Sequence, residues 1–138
     1  MVTTELFRIV TCAAEEHVWD ALTATGQPLP YFYGMTLTSD WQPGSSVTLA
    51  LSPDHRLEGT VLAAERPGRL SYTLGASTDE VAAYVTWEIR RCPTGTVVRL
   101  YLDEADSHSG TTDELEEAWL PVLSGLAAHL APRHLAGL

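Results

Sequence analysis

Lysine is absent from the 138-residue chain; its eight basic side chains are all arginine, at positions 8, 56, 66, 69, 90, 91, 99 and 133. Schiff-base chemistry and lysine-based phosphate binding are thereby excluded. Cysteine is scarce: Cys12 and Cys92 stand far apart, without CxxC or Cys/His spacing. That pattern argues against a disulfide framework or a metal site, and predicts two buried, reduced thiols. No apolar run approaches the roughly 20 residues of a membrane span, and the N-terminus lacks the basic-then-apolar pattern of a signal peptide. The expected location is the cytoplasm, without membrane insertion. What is present is a globular composition, 45% hydrophobic and 19% charged, expected to form a single domain over 1–138. Eighteen acidic residues against eight basic give a formal net charge of −10. With the arginines scattered along the chain, that field repels phosphate backbones, so no nucleic-acid partner is expected.

The hydrophobic pattern changes period twice. Glu5 to Thr11 reads as a strand, and Ala14-Glu15-Glu16 opens a helical segment carrying Val18, Trp19 and Leu22, with acids suited to its first turn. Thr25-Gly26-Gln27-Pro28 breaks it, and Leu29 to Tyr33 has the makings of a second short helix. From Met35 the period is two: Met35/Leu37, Val47/Leu49/Leu51, Leu57/Gly59/Val61/Ala63, Leu70/Tyr72/Leu74, Val85/Trp87/Ile89 and Val98/Leu100/Leu102 alternate with more polar neighbours. Turn chemistry separates these runs, which suits an antiparallel meander. Thr111 or Thr112 then caps a helix whose apolar stripe runs Leu115, Trp119, Val122, Leu126, Leu130, with Pro121 marking either a kink or the place near which the regular helix begins. The order predicts an α+β fold: a curved antiparallel sheet of six or seven strands around a long C-terminal helix, with two short helices after the first strand.

Five segments, in order, carry a family resemblance: His17-Val18-Trp19-Asp20-Ala21-Leu22-Thr23, Trp41-Gln42-Pro43-Gly44, Leu57-Glu58-Gly59-Thr60-Val61-Leu62, Tyr84-Val85-Thr86-Trp87-Glu88-Ile89, and Ala118-Trp119-Leu120-Pro121-Val122-Leu123-Ser124-Gly125-Leu126. The chain resembles the SRPBCC superfamily, and within it the branch similar to the C-terminal domain of the heat-shock protein 90 ATPase activator. It departs from that pattern at Ser45, at Ala118 and at Leu102-Asp103-Glu104, the last weakening any transfer of polar pocket residues. The resemblance implies a helix-grip (START-like) fold with a cavity between sheet and C-terminal helix. Relatives bind lipids, polyketides or hormones, act as cyclases or dehydratases, or stimulate a chaperone ATPase, so the fold alone does not choose a function.

Around such a cavity the expected ligand-binding residues are Tyr31, Tyr33, Trp41, Tyr72, Trp87 and Trp119, large rings with a polar handle, with Leu29 to Tyr33 as a gate. For acid/base work Glu58, Glu88 and Tyr72 are candidates, with Ser39 as weak company; alternation puts both glutamates on the outer face, where Arg90 and Arg99 are suited to pair with them. His17, His55, His108, His129 and His134 lack metal or triad spacing, so no metal and no cofactor are expected. Seven acids between 103 and 117 lack the order of a calcium loop and read as a solvated loop plus a helix N-terminus; the alternative is a face that attracts a partner's basic surface. The expected function is binding of a small apolar molecule, as carrier or sensor. The alternatives are a cyclase or dehydratase on a polyketide-like substrate and a chaperone-activator-like interaction module, as monomer or homodimer.

Overall fold

The computed structural model describes residues 4–52, 54–77, 80–104 and 112–130. His108, His134 and the cap position Thr111 lie outside them. The described elements are β1 (Thr4–Thr11), α1 (Glu15–Thr23), β2 (Pro28–Leu29), β3 (Met35–Ser39), β4 (Ser46–Ser52), β5 (His55–Glu65), β6 (Arg69–Ser77), β7 (Glu80–Cys92), β8 (Gly95–Glu104) and α2 (Thr112–Leu130). All eight strands join one antiparallel sheet in the order β1-β8-β7-β6-β5-β4-β3-β2. From β2 to β8 the order is a meander, and β1 closes on β8 through the pairing Thr4↔Asp103 to Thr11↔Thr96.

Two details depart from the expectation. The eighth strand is the pair Pro28–Leu29, held against Thr36 and Met35. The second short helix is a single 3-10 turn, Pro30–Phe32. Pro28 and Pro30 supply no N–H to extend a helix, and Tyr33 and Gly34 follow with φ of 58° and 76°. The Gly34 N–H bonds the Leu29 carbonyl at 2.9 Å and turns the chain straight into β3.

Alternation along the strands puts one face inside. Val47, Val61, Leu70, Val85, Leu100 and Leu102 are each at most 1% exposed, and α1 adds Val18, Trp19, Ala21 and Leu22. The helix α2 contributes Val122, Leu123, Leu126 and Leu130, and continues through Pro121, which lies on its exposed side. Irregular pairing in β4–β5, β5–β6 and β6–β7 bends the sheet. At Gly59 a side chain would run into the Thr73 backbone, so only glycine fits there. Gly125 has the same role between layers: a Cβ there would stand 3.0 Å from the Tyr31 Cα, so its absence seats α2 on the 3-10 turn.

Both cysteines are free, and Cys12 is exposed while Cys92 is half-buried, contrary to the expectation of buried thiols. Cys12 is the first residue after β1 and Cys92 the last of β7, so both sit where the chain leaves the sheet. The Thr94 hydroxyl, 3.5 Å from the Cys92 Sγ, holds that thiol below its usual range.

Candidate functional site

The curved sheet brings five of the six expected rings into or against the interior. Tyr31, Tyr72 and Trp87 are buried, and Trp41 and Trp119 are partly buried. Tyr33 is the exception: it is 51% exposed, because the left-handed backbone that ends the 3-10 turn directs it out of the core. Trp119 meets Phe32 edge-on with centroids 5.7 Å apart, Phe32 lies 5.5 Å from Tyr31, and Trp41 lies 5.9 Å from Tyr72. His129 flanks Tyr31 at 5.6 Å, whereas His17 and His55 are exposed.

The polar ends of these rings are bonded unequally. The Tyr31 hydroxyl donates to the Ala21 carbonyl, and Trp41 Nε1–H donates to the Thr23 carbonyl at 2.9 Å. Trp87 Nε1–H donates to the Tyr72 hydroxyl at 3.2 Å. That bond uses Tyr72 as an acceptor only, and among the described residues the Tyr72 O–H finds no acceptor for its own proton. Burial pushes the Tyr72 phenol up to about 12, against a smaller lowering from Trp87. Burial, reinforced by Tyr72, raises Tyr31 as well. Both phenols therefore stay protonated at neutral pH and do not serve as bases.

The acid/base candidates lie elsewhere. Glu58 is on the outer face as expected, but its partner is Arg56 at 2.9 Å. Glu88 accepts a hydrogen bond from the Tyr101 hydroxyl at 3.3 Å, and neither Arg90 nor Arg99 forms an ion pair with it. Ser39 accepts the Trp41 N–H at 3.0 Å in the turn after β3.

Sequence reasoning missed an opening. Register places Leu37, Leu49 and Leu57 abreast on the inner face, and alternation carries Met35 and Leu51 onto the same side. Yet Leu51 is 60% and Leu57 38% exposed. They line a recess of about 480 Å³ with Met35, Leu49 and the hairpin residues Asp54, His55 and Arg56. The helix α2 packs on β1 and the 3-10 turn, leaving this end of the concave face open. Alternation assigns these leucines to a face; it carries no signal for whether a helix covers it.

Residues 13–131 match the model of a family described as Activator of Hsp90 ATPase homolog 1-like protein. No curated protein matches the sequence. Among solved structures, protein MLL2253 from Mesorhizobium loti is 22% identical, covering 91% of this chain and 95% of its own, with a TM-score of 0.74. CalU16 from Micromonospora echinospora is 18% identical over 98% of this chain and 80% of its own, with a TM-score of 0.73. The Aha1 dimer from Colwellia psychrerythraea is 17% identical over 93% of this chain and 96% of its own, with a TM-score of 0.72. At these identities the structures establish a common fold.

Proposed function

The chain belongs to the Activator of Hsp90 ATPase homolog 1-like family, within the SRPBCC superfamily, and from that premise we propose that it binds a small apolar molecule on the concave face of the sheet, entering at the end that α2 leaves open. The carrying observation is the exposure of Leu51 and Leu57 on the face that is elsewhere core. Exposed apolar surface costs roughly 25 cal/mol per Å² relative to burial, and an apolar ligand seated there recovers that free energy. In this reading Met35, Leu51 and Leu57 form the mouth, and Leu29 to Tyr33 forms its flank. Between that mouth and Tyr72 lie the inner-face residues Val47, Leu49 and Val61 of β4 and β5, each at most 3% exposed, which a ligand has to displace to reach the phenol.

Tyr72, Trp87 and Trp41 then form the deep wall. A ligand carrying one acceptor, such as a ketone or ester oxygen, satisfies the Tyr72 O–H, while the rest of its surface meets rings and aliphatic groups. Neutral phenols and indoles suit holding such a ligand better than moving protons, so binding is favoured over cyclase-type turnover. Native mass spectrometry of protein purified gently from its own host tests the reading. The expected result is an added mass of a few hundred daltons, lost on denaturation, together with quenching of tryptophan emission when an apolar aromatic probe is titrated in. A chain that carries nothing and leaves its emission unchanged with every apolar probe would count against it.

A second reading, a protein-interaction module, is supported by the solved relative described as an Aha1 dimer. Sedimentation of the purified chain tests it: a monomer at all concentrations removes self-association.

A further inference from the structure

The arginines are scattered in sequence, but the sheet gathers half of them on its convex face. Arg8 is paired with Arg99, Arg99 with Glu88, and Glu88 with Arg69. One row across four neighbouring strands thus reads Arg, Arg, Glu, Arg. Arg90, two residues beyond Glu88, projects from the same face. Arg8, Arg69 and Arg90 are exposed and Arg99 is half-buried.

Arg8 and Arg99 stand directly opposite one another, an arrangement of like charges that weakens a strand pair. The chain has eighteen acidic residues with which to neutralise them. Even so, none of these four arginines makes an ion pair among the described residues, where the ion pairs belong to Arg56 and Arg66. Two members of the row, Arg69 and Glu88, line a recess of about 370 Å³ together with Thr86, Tyr101 and Asp103. Val10 and Tyr84, both on this face, add exposed apolar surface at 51% and 39%.

We propose that this convex arginine row docks a short acidic segment of a partner protein, lying across the strands of β1, β8, β7 and β6. The dimensions and charge favour a polypeptide. Four strands at about 4.8 Å spacing make a row about 14 Å wide, and an extended segment places carboxylates on one side every 6–7 Å or so, each able to take a bidentate guanidinium contact. A duplex has a phosphate charge about every 1.7 Å along its axis and would extend past the patch onto a molecule of net charge −10. The surface is separate from the apolar recess, so it does not depend on the ligand-binding reading.

The test is fluorescence polarisation with the full chain and a fluorescein-labelled nonapeptide of alternating Glu and Ser. The expected result is binding at low ionic strength that weakens steeply above about 0.1 M salt, where the screening length is about 10 Å. The Arg8→Gln/Arg99→Gln variant is expected to bind at least about tenfold more weakly. Arg90→Gln, outside the like-charge pair, is expected to lose about threefold, and supplies a second test should the double variant fold poorly. The proposal is overturned if the peptide does not bind, if an alternating Gln-Ser peptide binds as well, or if both variants bind unchanged. Tighter binding of labelled deca-thymidylate would overturn it in favour of a phosphate ligand. A wild-type dimer that the double variant dissociates would overturn it in favour of a second copy on this face.

Discussion

Tyr72 and Leu51 show how one side chain can serve stability or binding. Tyr72→Phe keeps the ring but strips the Trp87 indole of its acceptor, and a buried donor left unpaired costs about 1–3 kcal/mol. The variant is expected to lose that much in denaturant unfolding and to lose any preference for carbonyl-bearing probes over hydrocarbons of the same shape; an unchanged preference would remove Tyr72 from the ligand reading. The same phenol sets a pH limit. Its folded-state value is raised to about 12 from 10.0, so the folded state holds the proton more tightly than the unfolded chain. The resulting stability is fully present below pH 10 and is lost as pH rises from there through about 12. Each tenfold difference in proton affinity between the two states is worth roughly 1.4 kcal/mol. Denaturation midpoints measured across that window should fall in the wild type and fall less in Tyr72→Phe. Leu51 is the converse case. Being 60% exposed, it contributes little packing, so Leu51→Asp is expected to change stability by no more than about 0.5 kcal/mol while weakening apolar-probe binding about tenfold, equivalent to about 1.4 kcal/mol. A variant that binds as wild type would show that the mouth lies elsewhere.

Among the elements, the contact of α2 with the 3-10 turn is the most constrained, and Gly125 sets its closeness. In an open helix Gly→Ala gains roughly 0.5–1 kcal/mol from propensity. Here the added methyl meets the Tyr31 backbone at 3.0 Å, and Tyr31 is held by its bond to the Ala21 carbonyl. Gly125→Ala is therefore expected to destabilise by about 1–3 kcal/mol through overpacking, whereas Ser124→Ala, on the exposed side, is expected to leave the melting temperature unchanged or raised. Equal effects at both positions would mean that the helix has room to shift. The elements also mark where the sequence was legible. Seven strands and both α-helices follow from periodicity, because a buried face imposes a period on five or more residues. Pro28–Leu29 is too short to show a period, and its pairing depends on the Tyr33–Gly34 turn. The open recess was hidden for a different reason: Leu51 and Leu57 have the alternation of core leucines, and only the path of α2 leaves them uncovered. The arginine row was hidden because Arg8 and Arg99 become neighbours through the long-range β1–β8 register.

At the scale of the molecule, charge among the described residues is separated more than it is paired. The chain carries −10, its convex face collects arginines, and the ion pairs of Arg56 and Arg66 involve exposed or partly exposed groups with only modest stabilising power. Two repulsions therefore act together: the surplus of acids over the whole surface, and Arg8 against Arg99 within one strand pair. Screening relieves both and takes little away, since exposed pairs of this kind contribute no more than about 1 kcal/mol each. Raising sodium chloride from low ionic strength to about 0.5 M is accordingly expected to raise the melting temperature. For a chain of this length, each kcal/mol of relief corresponds to roughly 2–5 °C. Arg8→Gln should start from a higher melting temperature at low salt and respond less to added salt, because one repulsion is already gone. A wild-type melting temperature that falls with salt would mean that attractive pairs outweigh the repulsion. An unchanged response in Arg8→Gln would mean that its two guanidinium groups are held far enough apart in solution not to interact. The Arg8–Arg99 pair would then impose no stability cost on the free protein.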